Sequence, residues 1–431
     1  MSQRQRKNQR RKKLAAAHTP LDITHHAHAA GIDVGAQELV AAVPHGHGPA
    51  PHVRTFSAFT AGLHALRDWL RECGITTVAL ESTGNYWLCI TAILEDAGIE
   101  VCLVNARHVR GVPGKKTDVC DAAWLQQLHA AGLLRGSFRP QKEILPLRYL
   151  LRHRGDLIAQ AGQQVQLMQK VLTEMNLHIH HVFSDVDGQS AQAIITAILE
   201  GERDADKLAA LRDRRARAPL DKIKAALKGD YRGEYLFVLR QVQARWKQLC
   251  DSIVECDAEI ARRTAALAGV TDAPLPAAPP AQRRVQKNMT TAMPVYAEAH
   301  RLLGVDLSAV PGVSGGVLCV LLSELGTATH IREKFRSAEA FASWLGLCPD
   351  NRISGGRILK AGTRKVTNRI ANILRMAANA LSRAHGPMGE YVRRYKGRLG
   401  KAEGIVAGAH KLARIIWALI VSGPPYAEAK A

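Results

Sequence analysis

Tyr235, Leu239, Val242, Trp246, Leu249, Ile253, Cys256 and Ile260 follow one another at intervals of 4, 3, 4, 3, 4, 3 and 4 residues. Apolar positions sustained at this spacing fix a long helix with one apolar seam, and that seam must be covered by another helix. A candidate cover lies upstream, where Leu151, Ile158, Ala161, Val165, Met168, Leu172, Met175 and Ile179 keep the same spacing, interrupted by Arg154. The spacing leaves two pairings open: an antiparallel hairpin within one chain, or a contact between two chains. Residues 190–229, between the two stretches, read as short helices with their charges on the outer faces. His178, His180 and His181 at the start of that segment read as a polar patch at a helix end rather than as ligands.

Residues 31–131 carry a different pattern. Ile32 and Val34 alternate with Asp33 and Gly35, a turn follows at residues 36–38, and residues 39–43 form a second apolar run, so the opening reads as a β-hairpin. Short β-branched runs recur at residues 77–80 and 101–104. Between them Leu63, Leu66, Trp69 and Leu70 repeat at helical spacing, and residues 86–94 are a second helical candidate. A hairpin followed by strand–helix units predicts an α/β sheet of the RNase H type. No G-x-G-x-x-G follows the first strand, which argues against a dinucleotide-binding Rossmann domain.

The charge balance names the class of partner. Lys and Arg number 59 against 38 Asp and Glu, a formal net charge of +21 over 431 residues, so a polyanion, nucleic acid first, is expected. Residues 1–29 open on Arg4, Arg6, Lys7, Arg10, Arg11, Lys12 and Lys13 and continue without periodicity. That predicts a segment disordered on its own, either a solvated tail or a phosphate-gripping arm. His25, His26 and His28 within it, and His45 and His47 in a Gly/Pro-rich turn, are not expected to bind metal. No apolar run reaches the roughly 18 to 20 residues of a membrane span, and the N-terminus lacks the apolar core of a secretory signal. A soluble, intracellular protein without a membrane is therefore expected. Cys73, Cys89, Cys102, Cys120, Cys250, Cys256, Cys319 and Cys348 form no Cys-x-x-Cys pair, which predicts reduced, buried thiols rather than zinc ligands or disulfides.

In so basic a chain, four acids stand out. Asp33 interrupts a strand in which a buried charge needs compensation. Glu81 ends an apolar run, at the strand terminus where open α/β sheets bind ligands. Asp118 and Asp121 are spaced i,i+3 behind Thr117, the expected helix N-cap. Each alone has an ordinary structural explanation. Together, as D…E…D-x-x-D on strand, strand and helix, they are the oxygen ligands that two hard divalent cations roughly 4 Å apart require.

Pro274, Pro276, Pro279 and Pro280 mark a linker, with basic Arg283, Arg284 and Lys287 behind it. Beyond it, Val310-Pro-Gly-Val-Ser-Gly-Gly316 before an apolar helix resembles a helix-hairpin-helix element, in which backbone N–H groups hold a phosphate; a plain tight turn has the same sequence form. A second candidate site is Asn351-Arg-Ile-Ser-Gly-Gly-Arg-Ile-Leu-Lys360, continuing to Asn368 and Arg369. Ser354, beside two glycines and among Arg352, Arg357, Lys360, Arg364 and Lys365, is placed to attack a phosphodiester, although it needs activation and no histidine is near in sequence. The alternative is a Ser-Gly turn on a basic DNA-binding loop.

At this point a family resemblance enters. Gly31-Ile-Asp-Val-Gly35, Leu80-Glu-Ser-Thr-Gly84 and Lys116-Thr-Asp-Val-Cys-Asp-Ala122 resemble the three DEDD motifs of insertion-sequence transposases of the IS one-ten family, and residues 310–316 with 341–365 resemble their C-terminal transposase domain. The resemblance implies a multidomain protein. Residues 1–29 would be a basic tail, 30–140 an α/β RNase H-like (RuvC-like) domain, 141–272 a long-helix coiled-coil region, 273–288 a linker, and 289–431 a mostly α serine transposase domain with the helix-hairpin-helix-like element. It further implies a Mg²⁺-dependent recombinase in which Asp33, Glu81, Asp118 and Asp121 hold metal and Ser354 forms a transient 5′-phosphoserine link. Lys115, Lys116, Arg352, Gly355, Gly356, Arg357, Lys360, Arg364 and Lys365 would contact nucleic acid. The implied partners are donor and target DNA, a noncoding bridge RNA that reads sequence by pairing, and further copies of the chain in a dimer or synaptic tetramer, in a prokaryotic cytoplasm at the nucleoid. Many relatives carry two serines before the glycine pair, whereas Ile353 precedes Ser354 here. The rival reading is a hydrolytic RuvC-type Holliday-junction or structure-selective endonuclease, with the same acids and water as attacker. A non-catalytic nucleic-acid scaffold is the third.

Overall fold

The computed structural model describes residues 25–46, 52–81, 84–105, 118–278, 282–283, 288, 292–360, 362–364, 366–423 and 426; of residues 118–120, 352–353, 358 and 360 it describes the backbone alone. Contacts divide the chain into two units, Met1–Arg139 and Pro140–Ala431.

In the first unit, β1 (Ala29–Val34), β2 (Glu38–Ala42), β3 (Val53–Ser57), β4 (Thr77–Glu81) and β5 (Glu100–Val104) form one sheet in the order β3-β2-β1-β4-β5. β2 runs antiparallel to both of its neighbours, while β4 and β5 run parallel to β1. The expected hairpin and strand–helix units are present. Strand β3 was not expected: Arg54, Thr55 and Ser57 read as polar, and at a sheet edge a strand escapes the demand for a buried face. Helices α1 (Thr60–Glu72) and α2 (Trp87–Asp96) cover one face, where Leu66, Trp69, Leu70, Ile90 and Leu94 pack against Ile32, Val34, Leu39, Val78 and Leu80.

The other face is covered by α3 (Asp118–Ala130), and one glycine sets its approach. A Cβ on Gly31 would stand 2.3 Å from both the carbonyl oxygen of Ala122 and the amide nitrogen of Gln126, so only glycine admits the helix this closely. Further along α3, Gln126 Nε2 donates to the Ala29 carbonyl at 3.3 Å, and His129 Nε2 lies 2.9 Å from Thr77 Oγ1 in a buried hydrogen bond. The helix therefore descends from Gly31 towards the strand starts, and its first turn lies at the C-terminal edge of β1 and β4.

The second unit is built on α4 (Leu145–Glu174, 30 residues) and α9 (Gly233–Ala265, 33 residues). They pack antiparallel within the one chain: Cys256 Sγ donates to the Leu150 carbonyl near one end, and Met168 and Leu172 share a core with Leu239 and Val242 near the other. Arg154, the interruption in the upstream seam, is buried against Asp257 of α9, with Nη2 3.1 Å from Oδ2 and Nη1 2.8 Å from the Asn288 carbonyl. Between the long helices, α5 (Ile179–Val182), α6 (Gln189–Leu199), α7 (Ala205–Ala210) and α8 (Leu220–Ala226) close over that second core with Ile179, Ile194, Ile198, Leu208 and Ile223. The upstream seam ends sooner than its spacing suggests. Met175 caps α4, Asn176 turns left-handed at φ 58°, and Ile179 belongs to the next helix.

The remaining helices are α10 (Val295–Leu303), α11 (Gly315–Leu325), α12 (Ala328–Lys334), α13 (Ala338–Trp344), α14 (Arg369–Leu381), α15 (Pro387–Leu399) and α16 (Lys401–Ser422), with a two-stranded ribbon of β6 (Arg352–Ser354) and β7 (Arg357–Lys360). Glu324 of α11 is buried under two guanidinium groups of α4: Arg152 makes a bidentate pair at 2.9 and 2.8 Å, and Arg148 Nε lies 3.0 Å from the same carboxylate. Contrary to the expectation that no segment reaches membrane length, α16 does so by length and composition. It is a core helix nonetheless, burying Leu412, Ile416 and Ile420 against its neighbours while carrying Lys411 and Arg414. The cysteine expectation also needs correction: the described thiols are free, but only Cys73 and Cys256 are buried, while Cys102, Cys250, Cys319 and Cys348 are half-buried and Cys89 on α2 is exposed.

Two outcomes follow from these contacts. Gly31→Ala should lower unit stability by about 3 kcal/mol, since backbone on both sides blocks the methyl group; chemical denaturation measures it. Arg154→Met should cost about 3–5 kcal/mol by stranding Asp257, and the Arg154→Met/Asp257→Leu pair should recover most of that loss, measured by the same unfolding curves.

Candidate functional site

The strand register assembles the acidic residues. β1 pairs with β4 so that Gly31 meets Ala79 and Ile32 meets Leu80; one step further, Asp33 stands level with Glu81, the last residue of β4. Ile32 and Leu80 both face the core under α1 and α2, so strand alternation turns Asp33 and Glu81 to the opposite face, the one α3 covers. Both are half-buried. The first turn of α3 at that edge begins with Asp118, and Asp121 one turn on is exposed. Thr117, expected as its N-cap, and Lys115 and Lys116, expected on nucleic acid, lie outside the described residues, as does the Asp118 side chain. Two neighbouring parallel strands and one helix start thus bring acidic positions to one sheet edge. Such a set of hard oxygen donors suits a divalent cation of the Mg²⁺ or Mn²⁺ kind.

The serine site is a tight hairpin. Ser354 ends β6 and pairs with Arg357, and between them Gly355 and Gly356 take φ of 55° and 74°. Positive φ at both central residues defines a type I′ turn, whose twist matches that of the flanking strands. A Cβ on either glycine would meet nothing within 4 Å, and Ser354, Gly355, Gly356 and Arg357 are all exposed, so the hydroxyl stands at an open tip. Arg364 is partly engaged inside the fold: its Nη2 donates to the Ser343 carbonyl and lies 3.3 Å from Ser343 Oγ. Asn368 caps α14, accepting from the amides of Ile370 and Ala371 at 2.9 and 3.2 Å. Lys365 and the side chains of Arg352 and Lys360 are outside the description. In the helix-hairpin-helix-like element, Gly315 is buried and its N–H donates to Tyr296 Oη at 3.2 Å, so that amide serves the fold.

Two further clusters stand outside the acidic edge and the serine hairpin, the first unread in the sequence and the second read there only as a polar helix end. On α15, Tyr391 and Tyr395 stack with ring centroids 4.6 Å apart, Arg394 lies over both rings, and Arg398 and Lys411 each lie 6.0 Å from one of them. The spacing of two tyrosines at i,i+4 with arginines beside them was the available signal; cations on half-buried aromatic rings form a platform of the type that holds phosphates and bases. The second cluster is His178, His180 and His181, one ring nitrogen of each lying within 4.8 Å of the other two.

An acid-edged α/β unit and an exposed serine between basic strands together describe an enzyme that works on nucleic acid. Residues 30–177 match a DEDD transposase model of the IS110 family, described as Transposase, and residues 306–393 match the model of the Transposase IS116/IS110/IS902 family. The chain belongs to the IS110 family of insertion-sequence transposases and is a DNA transposase/recombinase, whose DEDD match is consistent with use of a divalent metal. No curated protein matches it.

Beneath the acidic edge, burial holds the His129 imidazole down at about 4, and the His26 ring, 5.2 Å away, adds to the effect. Because this folded value lies below the ordinary 6.5, the unfolded chain takes up the proton first. The stability due to neutral His129 is complete above pH 6.5 and is lost as the pH falls from there towards 4. Thermal melts should therefore show a smaller drop in Tm between about pH 7 and pH 5 for His129→Gln than for the wild type, even though the variant starts lower at neutral pH.

Proposed function

We propose that this transposase cuts and rejoins DNA through a serine-linked intermediate, with Asp33, Glu81, Asp118 and Asp121 holding Mg²⁺ and Ser354 as nucleophile. The observation that carries the reading is the register that sets Asp33 beside Glu81 at the first turn of α3, within the stretch matched to a DEDD transposase. The sheet order β3-β2-β1-β4-β5, with β2 alone reversed, supports an RNase H-like, RuvC-like assignment for residues 30–140. The long helix pair supports a coiled-coil role for residues 141–272, with 289–431 as the serine domain.

In the proposed step Ser354 Oγ attacks a backbone phosphorus. The Oγ–P bond forms as the P–O3′ bond breaks, and the serine proton ends on the departing 3′ oxygen, leaving a 5′-phosphoserine and a free 3′-hydroxyl. A 3′-hydroxyl from the other duplex then reverses the exchange and restores the serine. Mg²⁺, when bound, supplies electrostatic stabilisation of the charged phosphate. The acids would hold that cation, the open hairpin tip gives Oγ access, Arg357 beside it binds a phosphate, and the Tyr391–Tyr395 platform offers a further grip on the nucleic acid. A charge of +21 fits backbone gripping, with sequence read by pairing to a noncoding bridge RNA, and action as a dimer or tetramer at the nucleoid.

Two variants test this. Asp33→Ala should lower cleavage about 100-fold or more while DNA binding, followed by gel shift, is kept; unchanged cleavage would refute the metal site. Ser354→Ala should abolish a protease-sensitive protein–DNA adduct along with strand exchange. Cleavage to free 5′-phosphate ends without any adduct in the wild type would instead establish the hydrolytic nuclease.

A further inference from the structure

The turn that ends α4 carries a cluster that the recombination chemistry does not use. His178, His180 and His181 place one ring nitrogen each within 4.8 Å of the others, with ring centroids 4.2 to 6.1 Å apart. The Nδ1 atoms of His178 and His180 are buried, and neither has a hydrogen-bond partner. A buried imidazole nitrogen without a partner is costly in a folded protein, and two of them within one cluster of three histidines call for a ligand.

The surroundings are preorganised. His178 Nε2 lies 2.9 Å from Asn176 Oδ1, so the ring donates there from Nε2 and leaves Nδ1 an acceptor without a partner. Asn176, with φ of 58°, takes the left-handed position that ends α4, where the Leu177 amide donates to the Leu172 carbonyl at 2.8 Å, so the helix end fixes where the histidine turn begins. The turn is fixed from behind: the His178 amide donates to the Ala226 carbonyl at 2.9 Å and the Asp230 amide to the Met175 carbonyl at 2.8 Å. Gly229 passes so close that a Cβ would lie 2.3 Å from the Met175 carbonyl oxygen.

We propose that His178, His180 and His181 form a site for a borderline transition-metal cation, Zn²⁺ foremost, that clips the end of α4 to α5. Three neutral imidazoles with a fourth position open to water are a zinc-type donor set, whereas Mg²⁺ takes oxygen ligands and is poorly served here. Bonds of about 2.0–2.1 Å in a tetrahedron set nitrogens about 3.4 Å apart, a contraction that calls for small rotations of all three rings, the widest pair being His178 and His180 at 6.1 Å between centroids. Bound metal fastens residues that cap the core beneath α5 to α8, so it stabilises the helical region and is separate in chemistry from the acidic edge.

The test uses the metal-stripped full-length chain, dialysed against Zn²⁺ with the bound metal counted by mass spectrometry. The wild type should hold one more tight equivalent than His181→Ala, a surface change that circular dichroism should show to be folded, and the Asn176→Ala variant should bind that equivalent about 10-fold more weakly. Co²⁺ should give the wild type a tetrahedral visible band that His181→Ala lacks, and millimolar Mg²⁺ should not displace it. Equal Zn²⁺ counts and equal Co²⁺ spectra for wild type and His181→Ala, or displacement by Mg²⁺, would overturn the proposal. Histidines elsewhere, including His25, His26 and His28, contribute equally to both proteins and cancel in the comparison.

Discussion

The closeness of α3 to β1 is the constraint on which the acidic edge depends. Parallel strands set Asp33 and Glu81 side by side by register alone, but a helix resting at ordinary distance on side chains of β1 would hold its first turn away from them. Gly31 removes that spacer, and the backbone of Ala122 and Gln126 settles against the strand. The buried bond between Thr77 and His129 and the contact of Gln126 with the Ala29 carbonyl then fix how far the helix slides along the sheet. The acidic edge is positioned here by contacts that lie one to three helical turns away from it.

The second unit relies on paired charges at its helix contacts. Arg154, Asp257 and Glu324 are buried, with Arg148 and Arg152 reaching Glu324 from partly exposed positions, a costly arrangement compared with an apolar seam. Their benefit is register: two long helices with interchangeable apolar side chains can slide by a heptad, whereas a buried guanidinium has one acceptable partner. The same logic fixes α11 against α4.

The parts of this architecture legible in the sequence were those written in local periodicity or in residue type. The seam from Tyr235 to Ile260 lies within α9, with every seam residue buried or half-buried, because a heptad pattern is a property of one helix. The β1–β2 hairpin and the strands before Glu81 and at residues 101–104 were visible for the same reason. β3 was not, since an edge strand carries no compulsory apolar face. The partners of Arg154 and the demand on Gly31 were hidden because each depends on residues about 90 to 100 positions away. The histidine cluster was hidden in another way: His178 and His181 looked like any polar helix end until the left-handed Asn176 turned the rings together.

Electrostatics joins these observations. Acidic positions on one sheet edge repel one another, and the N-terminal end of α3 offsets only part of that repulsion, about half a unit of positive charge. A divalent cation offsets far more, and it leaves the edge attractive to phosphate, as the acids alone would not be. The excess of Lys and Arg over the rest of the chain supplies long-range attraction that brings the polyanion in, weakens with added salt, and carries no sequence information. Attraction and chemistry are thus assigned to different physical devices. A net charge as large as +21 does not make the enzyme specific, since attraction to phosphates is the same for every sequence.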